Sequence, residues 1–484
     1  MAQKVQPGFE DLQDRQVPDW YDGGKFGIFI HWGIYSIPAY AEKGQHFPDL
    51  LKNDFENLIK HNPYVEWYWQ NMRVEGSSAA AFHKENYGDA PYEDFRAPWE
   101  KNLEGFDAKE WAKLFKQSGA KYVVLVTKHH DGYTLWPSDV ENPHKPGWSS
   151  ERDIVGELAD AVRAEGLKFG IYYSGGLDWT WETTSIESAV DTLATTIADP
   201  AYNRYVDAHY RELIERYKPS VLWNDISYPL MDGMADLFKD YYKAVPDGVV
   251  NDRWQAAKPI NKYFRYQPLK WLATQFGKLA MKKFDGPLVG AEPAHSDFRT
   301  PEFSFFEEPQ EKKWETTRGL GWGFGYNRTE TEEDFLSSDE LIIDLARVVA
   351  RNGNYLLNIG PDGHAQIPAD QASRILAVGD WLRANDEAVY DSKPFGPGTV
   401  IAKDGAELNL TRGKNGAVYA LVSDLPASGE VTVQIDGLDG QLALRRLDGG
   451  EIEGSYENGT LRMTFAGEAP AMPCAGVQLT AAAS

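Results

Sequence analysis

Residues 123–136, VVLVTKHHDGYTLW, run an apolar strand-like stretch straight into two adjacent histidines and an aspartate. His129, His130 and Asp131 are of the types that ligate metals, move protons or hydrogen-bond a polar ligand. Geometry disfavours a metal shared by both rings. Neighbouring strand residues point to opposite faces, so the backbone must bend before two imidazoles meet one ion, and no HExxH or H-x-H pattern supports such a site. Two imidazoles on the hydroxyls of one sugar fit better. A buried, internally bonded histidine is the plainer alternative for one of them. A second group stands out at Asp225, which closes the apolar run SVLW and sits between Trp223 and Tyr228. A carboxylate there is placed to attack or stabilise an oxocarbenium centre. Capping the next helix or pairing with an arginine are its alternatives.

Such residues need strands to hold them. Short apolar runs at Phe26–His31, Tyr122–Thr127, Phe169–Tyr173, Val221–Asn224, Val249–Asp252, Trp322–Tyr326 and Tyr355–Ile359 alternate with segments of helical periodicity. One of these helical segments, FDAKEWAKLFKQSG, has Asp107 as its expected N-cap. The alternation predicts parallel strands with helical crossovers, a (β/α)8-like barrel of the TIM type, with the sixth strand somewhere in 286–306. At YDSKPFGPGTV the composition changes to short alternating runs broken by KNG, DGL, DGG and ENG turns. The predicted domains are therefore a catalytic barrel over 1–394 and a small antiparallel β-sandwich over 395–484. With few aromatics to display (Tyr419, Tyr456, Phe465), the sandwich reads as a structural cap rather than a carbohydrate-binding module.

In a barrel the chemistry gathers at the carboxyl ends of the strands. Those ends read His31-Trp32, Lys128-His129-His130-Asp131, Tyr172-Tyr173-Ser174, Trp223-Asn224-Asp225 and Asn251-Asp252-Arg253-Trp254. Polar groups interleaved with aromatics describe a carbohydrate pocket better than a phosphate or hydride site. The bulk numbers agree with a small neutral ligand. Lys+Arg 49 against Asp+Glu 73 gives a net charge of −24, which opposes nucleic acid and anionic membranes as partners. One cysteine, Cys474, excludes an intrachain disulfide and a thiolate cluster. The N-terminal text has no apolar h-region, so as written the chain is expected to be cytoplasmic, or periplasmic or secreted if a signal was trimmed.

Taken together, KFGIFIHWGIYSIPAYA, EWYWQNM, AKYVVLVTKHHDGYTLW, RDIVGELADAVRAEGLKFGIYYSGGLDW, PSVLWND, VNDRW, GNYLLNIGPDGHAQIP and GDWLRANDEAVY resemble the α-L-fucosidases of glycoside hydrolase family 29, from about residue 20 to 392. The resemblance implies hydrolysis of terminal α-L-fucose with retention of configuration, on fucosylated oligosaccharides or glycoconjugates, without metal or organic cofactor. It makes Asp225 similar to the nucleophile, and His31, His129, His130, Tyr172 and Trp223 similar to the fucose-binding wall. Arg253, Glu66 and Trp67 are similar to further pocket residues. The text HSDFRTPEF followed by KKWETTRGLGWGFGYN resembles the segment carrying the acid/base, which points to Glu302; Glu292 is the competitor, and Glu307 and Glu308 read as solvated surface. Residues 41–63 and 255–296 look like insertions beside the active-site mouth, expected to shape the leaving-group side. A glycosidase or transglycosidase for a related sugar, and a non-catalytic carbohydrate-binding protein on the same scaffold, are the other readings. A homo-oligomer is compatible with all of them.

Overall fold

Short apolar runs become the staves of a parallel barrel in the computed structural model, which describes residues 6–284, 286–287, 290–438, 441–466 and 472–481. Seven strands pair in parallel: β1 (Phe26–Ile30), β2 (Tyr122–Lys128), β3 (Lys168–Ser174), β4 (Val221–Asp225), β5 (Val249–Val250), β6 (Trp314–Gly319) and β7 (Gly353–Ile359). Their order is β5-β4-β3-β2-β1-β7-β6. Residues 297–303 bridge the gap between β5 and β6. Asp297 N donates to Val250 O (2.9 Å), Arg299 N to Lys313 O (3.0 Å) and Phe303 N to Thr317 O (3.0 Å). This irregular stretch is the sixth stave in chain order and falls inside the expected window 286–306, of which residues 288 and 289 lie outside the described residues.

The expected strand at Trp322–Tyr326 is a correction. The seventh stave is Trp314–Gly319, and 322–326 is a tight loop beyond its carboxyl end. Aromatic residues gave the loop a strand-like look, but the backbone folds on itself there. A Cβ on Gly319 would stand 1.7 Å from the carbonyl oxygen of Gly323, an approach only glycine permits. The true strand, WETTRG, lacks an apolar pattern because Glu315 and Thr317 are buried polar residues.

Side chains alternate in and out along each stave, so the barrel interior is filled by Phe29, Val124, Val126, Val221, Trp223, Val249 and Leu356. Continuing this period of two past the apolar layers places His31 above Phe29 and Asp225 above Trp223. The helices cover the outside. Asp107 Oδ1 caps Ala108–Gln117 by accepting from Lys109 N (3.0 Å) and Glu110 N (3.1 Å), and the helix buries Trp111, Ala112 and Phe115. Truncating Phe115 to alanine in that packing would cost about 3–5 kcal/mol. No helix among the described residues is long and apolar enough to cross a membrane.

From Lys393 onward the chain forms two antiparallel sheets. Five strands, β8 (Lys393–Ile401), β9 (Glu407–Arg412), β10 (Val418–Ser423), β12 (Leu442–Arg446) and β15 (Cys474–Ala481), face three, β11 (Glu430–Gln434), β13 (Ile452–Glu457) and β14 (Thr460–Phe465), across a shared apolar core. Tyr419 and Phe465 are buried rather than displayed. Trp381 Nε1, on the last barrel helix, donates to Cys474 O (2.7 Å), and Arg347 grips Glu407 with two bonds of 2.8 and 2.6 Å. These contacts bind the sandwich to the barrel.

Candidate active site

Asp225 ends β4 and is followed by two consecutive residues in the left-handed region, Ile226 (φ 51°) and Ser227 (φ 76°). The turn is accommodated by Gly176, where a Cβ would lie 1.7 Å from Ile226 O. Asp225 Oδ1 accepts from Arg253 Nη1 (2.9 Å) and Oδ2 accepts from Tyr172 Oη (2.7 Å). Burial alone would raise its pKa. The Arg253 cation, His130 and the Tyr172 hydroxyl outweigh burial and hold it below the ordinary carboxylate range.

Glu302 lies on the sixth stave, hydrogen-bonded into β6 by its neighbours, and its Oε1 meets the same Arg253 Nη1 at 2.6 Å. The two carboxylate oxygens therefore lie no more than about 5.5 Å apart, the two contacts laid end to end. Burial, aided by the Asp225 charge, pushes Glu302 above the ordinary range despite the arginine. One carboxyl is held ionised and its neighbour is biased toward its acid form. Glu292 is placed otherwise: it is exposed, its Oε1 takes a bond from Lys312 Nζ (2.9 Å), and that contact lowers its pKa. Glu307 and Glu308 are exposed.

The paired histidines share the pocket because β2 slips. Its register against β3 shifts between Val126 and Lys128, so Lys128 turns outward over the Tyr173 ring and pairs with Asp178 at 3.1 Å. His129 then points inward, parallel to Tyr172 at 5.5 Å, and the His130 ring lies 4.1 Å from it. Asp131 turns away to Tyr92 Oη (2.8 Å) and Tyr133 N (3.1 Å), so the three consecutive residues form no ligand set. His31 Nδ1 meets Asn358 Oδ1 at 2.6 Å, and His130 Nδ1 meets Ser174 Oγ at 2.6 Å. Burial depresses all three imidazoles, His31 to about 4, His130 to about 3 and His129 well below its usual value. Near neutral pH each is uncharged and can give one hydrogen bond and take another, which suits hydroxyl groups.

Glu66 and Trp67 come from the short 3-10 helix Val65–Trp67, behind the first insertion. Trp67 packs edge-on against His130 at 5.2 Å. Glu66 is buried and accepts from Gly325 N (2.9 Å), and burial raises its carboxyl to about 8. The polar atoms of His31, Glu66 and His129 all lie within 4.8 Å of one another. That trio could hold a cation, but it is an uncharged set near neutral pH and offers the same lone pairs and protons to a sugar. Trp223 lies under Arg253, whose guanidinium carbon is 4.6 Å from the ring centroid. Its Nε1 donates to Glu315 Oε1 (3.2 Å), whose other oxygen takes hydrogen bonds from Tyr21 (2.9 Å) and Tyr122 (2.5 Å).

The ten residues singled out in the sequence thus form one connected cluster of contacts at the carboxyl ends of the strands. Missed were Asn358, which orients His31, and Phe324, whose ring stacks on His31 at 4.8 Å. Asn358 had a signal, a polar residue inside the apolar run YLLNI; Phe324 was hidden inside the misassigned strand. From the first insertion, His46 packs 4.9 Å from Phe303, the residue after Glu302.

The family model for α-L-fucosidase matches residues 1–387. An α-L-fucosidase of Dictyostelium discoideum is 33% identical over 447 residues, covering 88% of this chain and 82% of its own. The tissue α-L-fucosidase of Rattus norvegicus is 30% identical over 440 residues, covering 88% and 81%. The crystal structure of Thermotoga maritima α-fucosidase in complex with fucose superposes with a TM-score of 0.79 at 34% identity, covering 99% of this chain and 100% of that one. The same enzyme with a mechanism-based inhibitor gives 0.80 at 34% identity, over 98% and 100%. By sequence and by fold, this chain belongs to the α-L-fucosidase family, glycoside hydrolase family 29.

Proposed function

We propose that this family member releases terminal α-L-fucose from fucosylated glycans or glycosides by double displacement, with Asp225 as nucleophile and Glu302 as acid/base. One observation carries the assignment: two carboxyls on one guanidinium nitrogen, one lowered and one raised in proton affinity, with oxygens no more than about 5.5 Å apart, a bound compatible with the close pair of a retaining glycosidase. In the first step an Asp225 oxygen bonds to the anomeric carbon as the glycosidic C–O bond breaks. Glu302 gives its proton to the departing oxygen, so the aglycone leaves as an alcohol. In the second step the Glu302 carboxylate takes a proton from water, whose oxygen attacks the same carbon and frees Asp225. Inversion twice returns the α-anomer.

The remaining groups hold the sugar. His31, His129 and His130 meet its hydroxyls as neutral donors and acceptors, Glu66 adds a carboxyl O–H, and the Trp67, Tyr172 and Trp223 rings supply apolar walls. Arg253 touches both carboxyls and balances the charge exchanged between them. The support for Glu302 over Glu292 is position: Glu302 shares a partner with the nucleophile, whereas Glu292 is tied to Lys312 at the surface.

The test is hydrolysis of an aryl α-L-fucoside followed by NMR. α-Fucose should be the first-formed anomer, and β-fucose first would overturn the double displacement. No hydrolysis, with fucose still bound, would leave a carbohydrate-binding protein. Asp225→Gly supplied with azide should yield β-fucosyl azide, and Glu302→Ala should yield the α-anomer.

A further inference from the structure

Of the twelve exposed large hydrophobic side chains among the described residues, nine fall between Ile260 and Phe284, inside the second insertion. The helix Leu269–Lys283 carries most of them. Its inner side is bound to the body. A Cβ on Gly277 would stand 2.6 Å from the Phe55 ring, Lys270 pairs with Asp191 (2.8 Å) and Lys278 with Glu56 (2.6 Å). These contacts hold the helix in place and decide which side faces solvent.

The outer side carries Leu269 (44% exposed), Leu272 (53%), Phe276 (76%) and Leu279 (55%). Their spacing of three, four and three is the a/d pattern of a helix that packs along another helix. Small or uncharged residues flank the stripe, Ala273 and Ala280 on one side and Gln275 on the other, and the helix has no acidic residue. Lys282 and Lys283, which form no salt bridge among the described residues, sit at the C-terminal end. In an antiparallel two-fold pair these ends lie far apart, and the apolar centre meets itself without like-charge conflict. At roughly 100 Å² for each half-exposed side chain, the four stripe residues supply about 400 Å², half of the 800 Å² per partner of a stable interface, and the five other exposed apolar side chains between Ile260 and Phe284 are available to widen it.

We infer that the helix Leu269–Lys283 is a homodimer contact in which its a/d stripe packs antiparallel against the same stripe of a second copy of this chain. An anionic lipid surface is the weaker occupant, because three of the seven cations between residues 254 and 284 are already spent on Glu182, Asp191 and Glu56, and the whole chain carries −24. The contact goes beyond the catalytic reading and does not depend on it.

Light scattering on the full chain at micromolar concentration should give twice the 54.4 kDa chain mass, and Leu272→Glu with Phe276→Glu should give the single mass. Hydrolysis of a small aryl fucoside should be unchanged in that variant, which shows that it is folded. Phe276→Cys provides a second reading in the parent background. Under mild oxidation it should cross-link two chains, since the native cysteine, Cys474, is buried. A monomeric parent chain, a double variant that remains dimeric, or no cross-link from Phe276→Cys would each overturn the assignment. So would a monomer that floats with vesicles of phosphatidylcholine and phosphatidylserine through this stripe, since the occupant would then be lipid.

Discussion

Replacing Glu66 by glutamine should stabilise the protein increasingly as pH rises. Burial lifts the Glu66 carboxyl from an ordinary 4.5 to about 8, so the native state keeps a proton that the unfolded chain loses above 4.5. Between these values the unfolded state binds fewer protons than the native one, and stability falls with pH by about 1.4 kcal/mol per pH unit from this group alone. The accumulated cost approaches roughly 5 kcal/mol at pH 8. Glu66→Gln cannot titrate. Its carbonyl oxygen can still accept from Gly325 N, as the native carboxyl does. Urea unfolding followed by tryptophan fluorescence should therefore find the variant and parent close at pH 5 and the variant several kcal/mol more stable at pH 8. An equal gap at both pH values would refute the claim that Glu66 is folded in as a neutral acid. Activity offers an independent check on a fucoside whose phenol is acidic enough to need no general acid. There the parent should lose kcat/KM as Glu66 ionises near pH 8, and the variant's profile should stay flat.

Three further outcomes follow from the same geometry. Glu302→Ala should slow fucosides with poor leaving groups by roughly 10²–10⁴-fold while sparing the first step for acidic phenols, and Glu292→Ala should match the parent on both. Arg253→Met removes the cation that lowers Asp225, so the nucleophile becomes protonated at higher pH; the acid limb of the kcat/KM profile should move upward, with turnover down about 10²–10³-fold. Dialysis against EDTA should leave turnover unchanged, and loss that a divalent ion restores would assign a metal to His31, Glu66 and His129.

The ends of the apolar runs located Asp225 and His31, and the family resemblance gave them their roles. Each extends by two residues an inward-facing position of its own strand, Trp223 and Phe29, and that alternation is local geometry any reader of the sequence can count. The N-cap at Asp107 and the change of pattern near residue 395 were legible for the same reason, since both depend on neighbours in the chain. Elsewhere the determining partners are remote. His129 and His130 share a pocket only because β2 slips one register against β3, and β6 is a strand although Glu315 interrupts its apolar pattern, because Tyr21, Tyr122 and Trp223 satisfy that carboxylate inside the barrel. Glu302 stands beside Asp225 through Arg253, a residue from a third stave, and the apolar stripe of Leu269–Lys283 faces outward because Phe55, Asp191 and Glu56 claim the other side. The chain by itself determined which residues could do chemistry and the period that aims them; only the closed barrel decided which carboxyl keeps its proton, because burial and a shared cation exist only once distant segments meet.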